Sequence, residues 1–153
     1  MKKMGALRAH LVACRMFQHE KLMVWAENIA LEVRGKCEGN RVLLHRMSYR
    51  AVFSIEHYEY QKHSIDLLSA RLITWLEDND NRSDMSEEDR TPDIAVDVYD
   101  NNTADVEITL MFEEDVYIAQ SENGGIEYAG KRWTLETREH DIAESFDLIN
   151  QNE

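Results

Sequence analysis

Apolar residues recur along this chain in two rhythms, and each predicts a different kind of element. Near the start, Leu7, Leu11 and Cys14 fall at helical spacing, with Val12 beside them and Phe17 three residues beyond. A stronger stripe of Leu22, Trp25, Ala26 and Ile29, extended by Val33, predicts a second helix that stops at Gly35. Cys37-Glu38-Gly39-Asn40 is turn chemistry. After it, Val42-Leu43-Leu44 and the run Tyr49 to Ile55, with Tyr49, Ala51, Phe53 and Ile55 facing one way, predict a strand pair. Ser64 then stands as the N-cap of a helix whose apolar face is Ile65, Leu68, Leu72, Trp75 and Leu76, widened by Ile73.

The rhythm changes past that helix. Residues 77–93 offer a core little that is apolar and end at Thr91-Pro92, which predicts a loop. Ile94, Val96 and Val98 then alternate with Ala95, Asp97 and Tyr99. A turn at Asp100-Asn101-Asn102-Thr103 leads into Val106, Ile108, Leu110 and Phe112, again in alternation. Both runs read as half-buried antiparallel strands. Val116 and Ile118 predict another strand, and Asn123-Gly124 a hairpin turn returning through Ile126 and Tyr128. After Trp133 and Leu135 the apolar density falls, leaving Ile142, Phe146, Leu148 and Ile149 in an acidic tail. The fold class is therefore α+β, an antiparallel or mixed sheet packed against helices. The expected division is a compact domain over 1–135 and a C-terminal tail or docking segment over 136–153.

Length and composition narrow the class further. A chain of 153 residues is enough for one ordinary domain that hides about two-thirds of its unfolded surface. With 43% hydrophobic residues, one Pro and six Gly, it is composed as a folded protein, neither disordered nor collagenous. No apolar run approaches the roughly 18–20 residues that span a bilayer, and charge interrupts the N-terminal segment too early for a signal-peptide core. The chain thus reads as cytoplasmic with no membrane partner. Cys14 and Cys37 provide no disulfide framework and no zinc spacing, and both are expected to be buried thiols.

The net charge of −13 is uneven. Residues 1–50 carry ten Lys/Arg against four Asp/Glu, residues 51–92 four against ten, and residues 93–153 three against sixteen. So acidic a total repels phosphate, which argues against direct sequence-specific nucleic-acid binding. A basic first third and an acidic last third suit complementary surfaces in head-to-tail or ring contacts.

The search for catalytic or metal chemistry turns up no carrier. Asp78, Asp80 and Asp84 alternate as in a calcium loop, but Ser83 fills the obligatory Gly position and Asp89 stands where a bidentate Glu belongs. His57, His63, Asp66 and Glu59 lack any recognised ligand spacing, and a zinc ion needs three or four convergent ligands. Asp97 and Glu107 are paired carboxylates that a polar sheet face explains. Neither cysteine has a local Cys-His arrangement, and neither a nucleophile elbow nor a phosphate-cradling glycine loop is present. The expectation is a non-enzymatic protein with no cofactor and no metal. Core packing accounts for Trp25 and Trp75, whereas Tyr58, Tyr60 and Trp133 lie outside the strong core stripes.

Three segments carry a family resemblance. They are Leu72-Ile73-Thr74-Trp75-Leu76, Ile94 to Asn102, and Asp105 to Glu113, with Leu7-Arg8 and Leu11 also matching in place. Over most of residues 1–135 the chain resembles the phage tail completion protein R (GpR) family of contractile-tailed phages. In that family an extended segment precedes a helix ending in Trp-Leu, followed by a loop and two strands that close on polar residues. The resemblance implies a tail-terminator-like fold and a structural role that completes or caps the head-proximal end of the tail and supports head-tail joining. It further implies a homo-oligomeric ring, a hexamer matching six-fold tail symmetry. Its partners would be tail tube or sheath proteins and head-tail connector proteins, and it would be assembled into the virion tail in the host cytoplasm. The competing reading is a soluble protein-binding adaptor domain. In either case Tyr58, Tyr60, Trp133 and Phe146 are the expected aromatic contacts, and Glu113, Glu114 and Asp115 an acidic strip for a basic partner surface.

Overall fold

The computed structural model describes residues 1–136. In chain order it places α1 (Lys2–Ala13), a 3-10 turn (His19–Lys21), β1 (Leu22–Glu38), β2 (Arg41–Tyr58), α2 (Ile65–Asn79), the short α3 (Glu87–Arg90), β3 (Asp93–Val98), β4 (Ala104–Gln120), β5 (Ile126–Tyr128) and β6 (Lys131–Leu135). The strands form one curled antiparallel sheet in the order β1-β2-β4-β6-β5. β3 shares one side of β4 with β6, pairing Ala104 to Thr109 while β6 pairs Ile118 to Gln120. The fold is α+β, as the alternation and the helical stripes predict. The acidic segment beyond Glu136, including Phe146, lies outside the described residues.

The helices cover one face of the sheet at one end. Leu7 and Leu11 of α1 and Leu68, Leu72 and Leu76 of α2 meet Tyr49, Phe53, Ile55, Ile108 and Phe112 from β2 and β4, all buried. Each such side chain contributes roughly 1.5–3 kcal/mol through removal from water. α2 begins as its N-cap predicts, with the Leu67 amide donating to Ser64 Oγ at 3.1 Å. A second, smaller cluster of Val42, Ile118 and Trp133 holds the far end, where β6 closes on β4.

The structure corrects the reading of residues 22–38, which form a strand. Leu22, Val24 and Ala26 alternate toward the core opposite Ile55, Phe53 and Ala51. A β-bulge between Glu27 and Ala30, where Asn28 takes φ 54°, inserts one extra residue. Beyond it Leu31 and Val33 stand opposite Met47 and His45. The residues on the helix-bearing face of the sheet therefore switch from even to odd numbers, although Leu31 and Val33 lie past the core and are exposed, and the resulting sequence imitates a 3.6-residue period. Gly35, expected to end a helix, adopts φ 61° in a second bulge of the same strand.

Other boundaries also shift. The two short strands expected over 42–55 are one long strand, and Val116 and Ile118 belong to the same β4 as Val106 to Phe112. Asn123-Gly124 does not form a two-residue hairpin. β5 pairs with β6, turning at Ala129 (φ 53°) and Gly130 (φ 75°). Gly124 is instead buried under β6, where a Cβ would lie 2.1 Å from the Trp133 carbonyl oxygen. The loop over 77–93 contains α3 and is fastened by a buried arginine, described below.

Candidate assembly surface

The acidic strip on β4 is largely occupied from within the chain. Arg46, its neighbour on β2, reaches Asp115 at 2.9 Å and Glu113 at 3.6 Å. Its guanidinium is held above the ordinary arginine range, first by the Asp115 hydrogen bond and then by the Asp115 charge. Glu114 turns to the helix side. Its carboxylate accepts the amides of Lys2 (2.9 Å) and Lys3 (3.4 Å) at the start of α1, where no side chain of the helix itself provides a cap. A carboxylate there satisfies otherwise orphaned amides and complements the helix dipole.

Glu114 also accepts a short hydrogen bond from the Tyr49 hydroxyl, which in turn accepts the Met4 amide at 3.2 Å. Burial, followed by the Glu114 carboxylate, drives the Tyr49 phenol far above its usual range. Close by, the Asp80 carboxylate, 2% exposed, joins Lys3 Nζ at 2.6 Å and Arg82 at 2.8 Å. Arg82 donates further to the carbonyls of Arg90 and Asp89, both at 3.0 Å, and its guanidinium lies 5.7 Å from the Phe112 ring centre. This network laces the 80–90 segment to α1 and to β4. A groove of about 870 Å³ opens beside it, with Trp75, Met85, Glu114, Val116 and Leu135 among its walls.

The aromatic candidates separate. Tyr58 is fully buried in the main core, with its hydroxyl lacking a hydrogen-bond partner among the described residues, and burial raises its pKa to about 12. Trp133, 8% exposed, packs in the smaller cluster and donates its indole N–H to the Tyr128 carbonyl at 2.7 Å. Their expected placement outside the core is corrected: a bulge between Ile55 and Tyr58 shifts Tyr58 off the simple alternation of β2, and Trp133 is covered because β6 packs it against Val42 and Ile118. Tyr60 is half-buried at the core margin and donates to the Asp100 carbonyl at 3.0 Å. Trp25, expected in the core, lies at the surface on β1, whereas Trp75 is half-buried and stacks on His10.

Of the chemical candidates, Asp80 is spent on its two cations, and Asp97 and Glu107 are exposed on β3 and β4. No group of three or more His, Cys, Asp or Glu side chains among the described residues could hold a metal ion. Sequence reasoning missed one pair. His10 and Cys14 lie one helical turn apart, with Nε2 and Sγ at 3.7 Å. His10 Nε2 also lies 3.2 Å from the Arg71 carbonyl, which can only accept, so in this bond Nε2 carries a hydrogen and cannot take the thiol proton. Cys37, expected to be buried, is exposed at the end of β1.

Exposed apolar surface gathers elsewhere. From Glu27 to Cys37 every residue of β1 is exposed, including Ile29 (50%), Leu31 (61%) and Val33 (84%). On the opposite side of the sheet β3 presents Val96 and Val98, with Tyr99 just beyond its end. Both strands have a free edge, since β1 pairs only with β2 and β3 only with β4 among the described strands. Isolated apolar residues at a surface are ordinary, but a strand uncovered on both faces with an open edge is available for pairing with another chain.

A curled sheet with helices over part of one face and bare edges on either side defines a protein built for contact with other proteins. The chain belongs to the P2 phage tail completion protein R (GpR) family, whose model matches residues 1–137. Its role is therefore structural, in a phage tail and among other tail components. It is also similar to an uncharacterized 19.2 kDa protein from the rep-hol intergenic region of Haemophilus phage HP1 (strain HP1c1). The two are 26% identical over 132 residues, covering 86% of this chain and 79% of that protein. No solved structure matches the chain.

Proposed function

We propose that this protein completes the head-proximal end of a contractile phage tail as a homo-oligomeric ring, a hexamer on a six-fold tail. One face of the ring meets tube or sheath proteins, and the other supports joining to the head-tail connector. Assembly takes place in the host cytoplasm and involves neither catalysis nor direct sequence-specific nucleic-acid contact. The observation that carries the reading is family membership across the whole of the described residues. Two features fit it. Two free strand edges on different sides of one sheet are suited to heterologous contacts, which close into rings when the rotation between copies permits. A net charge of −13 disfavours nucleic acid as the principal partner.

The test is to add purified labelled protein to isolated tails that lack their head-proximal cap and to image them by electron microscopy. Density confined to that end, with head joining restored, is the expected result. If cap-deficient tails that still accept a native cap show no bound protein, the reading fails and a soluble protein-binding adaptor takes its place.

A further inference from the structure

We infer that the chain's own C-terminal segment, residues 137–153, closes the half of the helix-bearing sheet face that α1 and α2 leave uncovered. Past those helices the strand pairing sets Leu31, Met47 and Glu114 in one row and Val33, His45 and Val116 in the next. Leu135 continues the surface on β6, opposite Ile118. Leu31, Val33 and Leu135 are all more than half exposed, and Met47 and Val116 are half-buried. Met47, Val116 and Leu135 also line the groove of about 870 Å³ beside Trp75. An apolar surface of this kind is seldom left bare. Within it the buried Nδ1 of His45 has no hydrogen-bond partner among the described residues, which leaves a polar group for an occupant to satisfy.

The described chain ends at this surface. The Glu136 amide donates to the Tyr117 carbonyl at 2.9 Å, its carboxylate meets Arg41 at 2.9 Å, and its carbonyl accepts from Lys2 Nζ at 3.5 Å. Glu136 itself lines the groove, so the chain leaves β6 at the groove's rim. Seventeen residues follow. Asp141 with Glu144 three positions on is a helix-start pattern, and Ile142, Phe146 and Ile149 then fall on one helical stripe. At 3.6 residues per turn Asp141, Glu144 and Asp147 lie on the other side of that helix. The six residues from Glu136 to Ile142 span up to about 20 Å. Three strand spacings, from β6 through β4 and β2 to β1, come to about 14 Å, so the stripe reaches Val33 with β6 still paired. Charge does not oppose the contact, because Arg46 holds Glu113 and Asp115 and the start of α1 holds Glu114. So short a link gives the segment a millimolar effective concentration at its own groove, far above that of a second copy in dilute solution. The contact is therefore made within one chain, and it does not rest on the ring reading.

Photo-cross-linking of the full chain tests the placement. A benzophenone side chain replaces Phe146, the protein is irradiated over a concentration series, and linked peptides are mapped by mass spectrometry. Links within one chain to Leu31, Val33, Met47 or Val116 are expected at every concentration. Links that join two chains, links confined to other surfaces, or no link at all would overturn the inference.

Thiol protection reads the same contact from the sheet. Val33→Cys is made in a Cys37→Ser background, in which Cys14 alone sets the basal rate, and its reaction with a maleimide is timed with and without Ile142→Asp and Phe146→Asp. The two tail substitutions are expected to speed the reaction at least tenfold, whatever the protein concentration. Equal rates in proteins with the same near-ultraviolet circular dichroism would overturn the inference. Protection that appears only as concentration rises would place a second copy on the face and overturn it too.

Discussion

At the scale of single residues, two buried tyrosines respond in opposite ways to loss of the hydroxyl. The Tyr49 hydroxyl joins Glu114 to the start of α1, and Tyr49→Phe is expected to destabilise by about 1–2 kcal/mol, since it leaves a half-buried carboxylate short of a donor. The Tyr58 hydroxyl has no such partner, so Tyr58→Phe is expected to be neutral or stabilising by about 1 kcal/mol in denaturant melts. Both phenols are raised above their unfolded value near 10. Above that pH the unfolded chain binds fewer protons than the folded one, so their contribution is complete below about pH 10 and falls as pH rises. For Tyr58 the loss runs up to about 12. In an alkaline titration followed by phenolate absorbance, two of the six tyrosines should ionise at higher pH in the folded protein than in the unfolded chain. Six tyrosines titrating together in a folded protein would contradict this. Asp80 faces two cations in a nearly dry site, and Asp80→Asn should cost on the order of 3 kcal/mol and loosen the 80–90 segment, seen as faster amide exchange there. None of these partnerships was legible in the sequence. Asp80 is 77 residues from Lys3, and Glu114 more than 100 from the helix it caps.

At the scale of elements, α2 was readable because its cap, its apolar face and its length agree. β3 and most of β4 were readable because strict alternation survives along them. β1 was misread because bulges displace its inward-facing residues, and a bulge is a response to pairing with β2 that periodicity within one strand does not reveal. Gly124 is a similar case. Its dipeptide suggested a tight hairpin, whereas its actual constraint is the backbone of Trp133 passing over it. Gly124→Ala is therefore expected to cost about 2–4 kcal/mol by forcing β6 away, despite the modest size of a methyl group. A thermal midpoint equal to wild type would show that β6 yields freely.

For the whole molecule, the distribution of charge matters more than its total. Acidic groups on β4 are matched internally by Arg46 and the start of α1, while the acidic β3 edge faces outward. Association of a basic partner surface with that edge should weaken as sodium chloride rises from about 0.1 to 0.5 M, because the Debye length shortens from about 10 Å to about 4 Å. Sedimentation at several salt concentrations measures this, and association that strengthens with salt would point to an apolar contact alone. The sequence by itself determined the fold class, the position of α2, the family and the polarity of charge along the chain, because these depend on local spacing and composition. Tertiary structure alone decided that residues 22–38 are a strand, that Tyr58 and Trp133 are core, that Glu114 caps a helix, and which edges remain open. Each of those outcomes depends on which distant segment becomes a neighbour, and a pattern within one stretch of chain carries no information about the stretch that will lie against it.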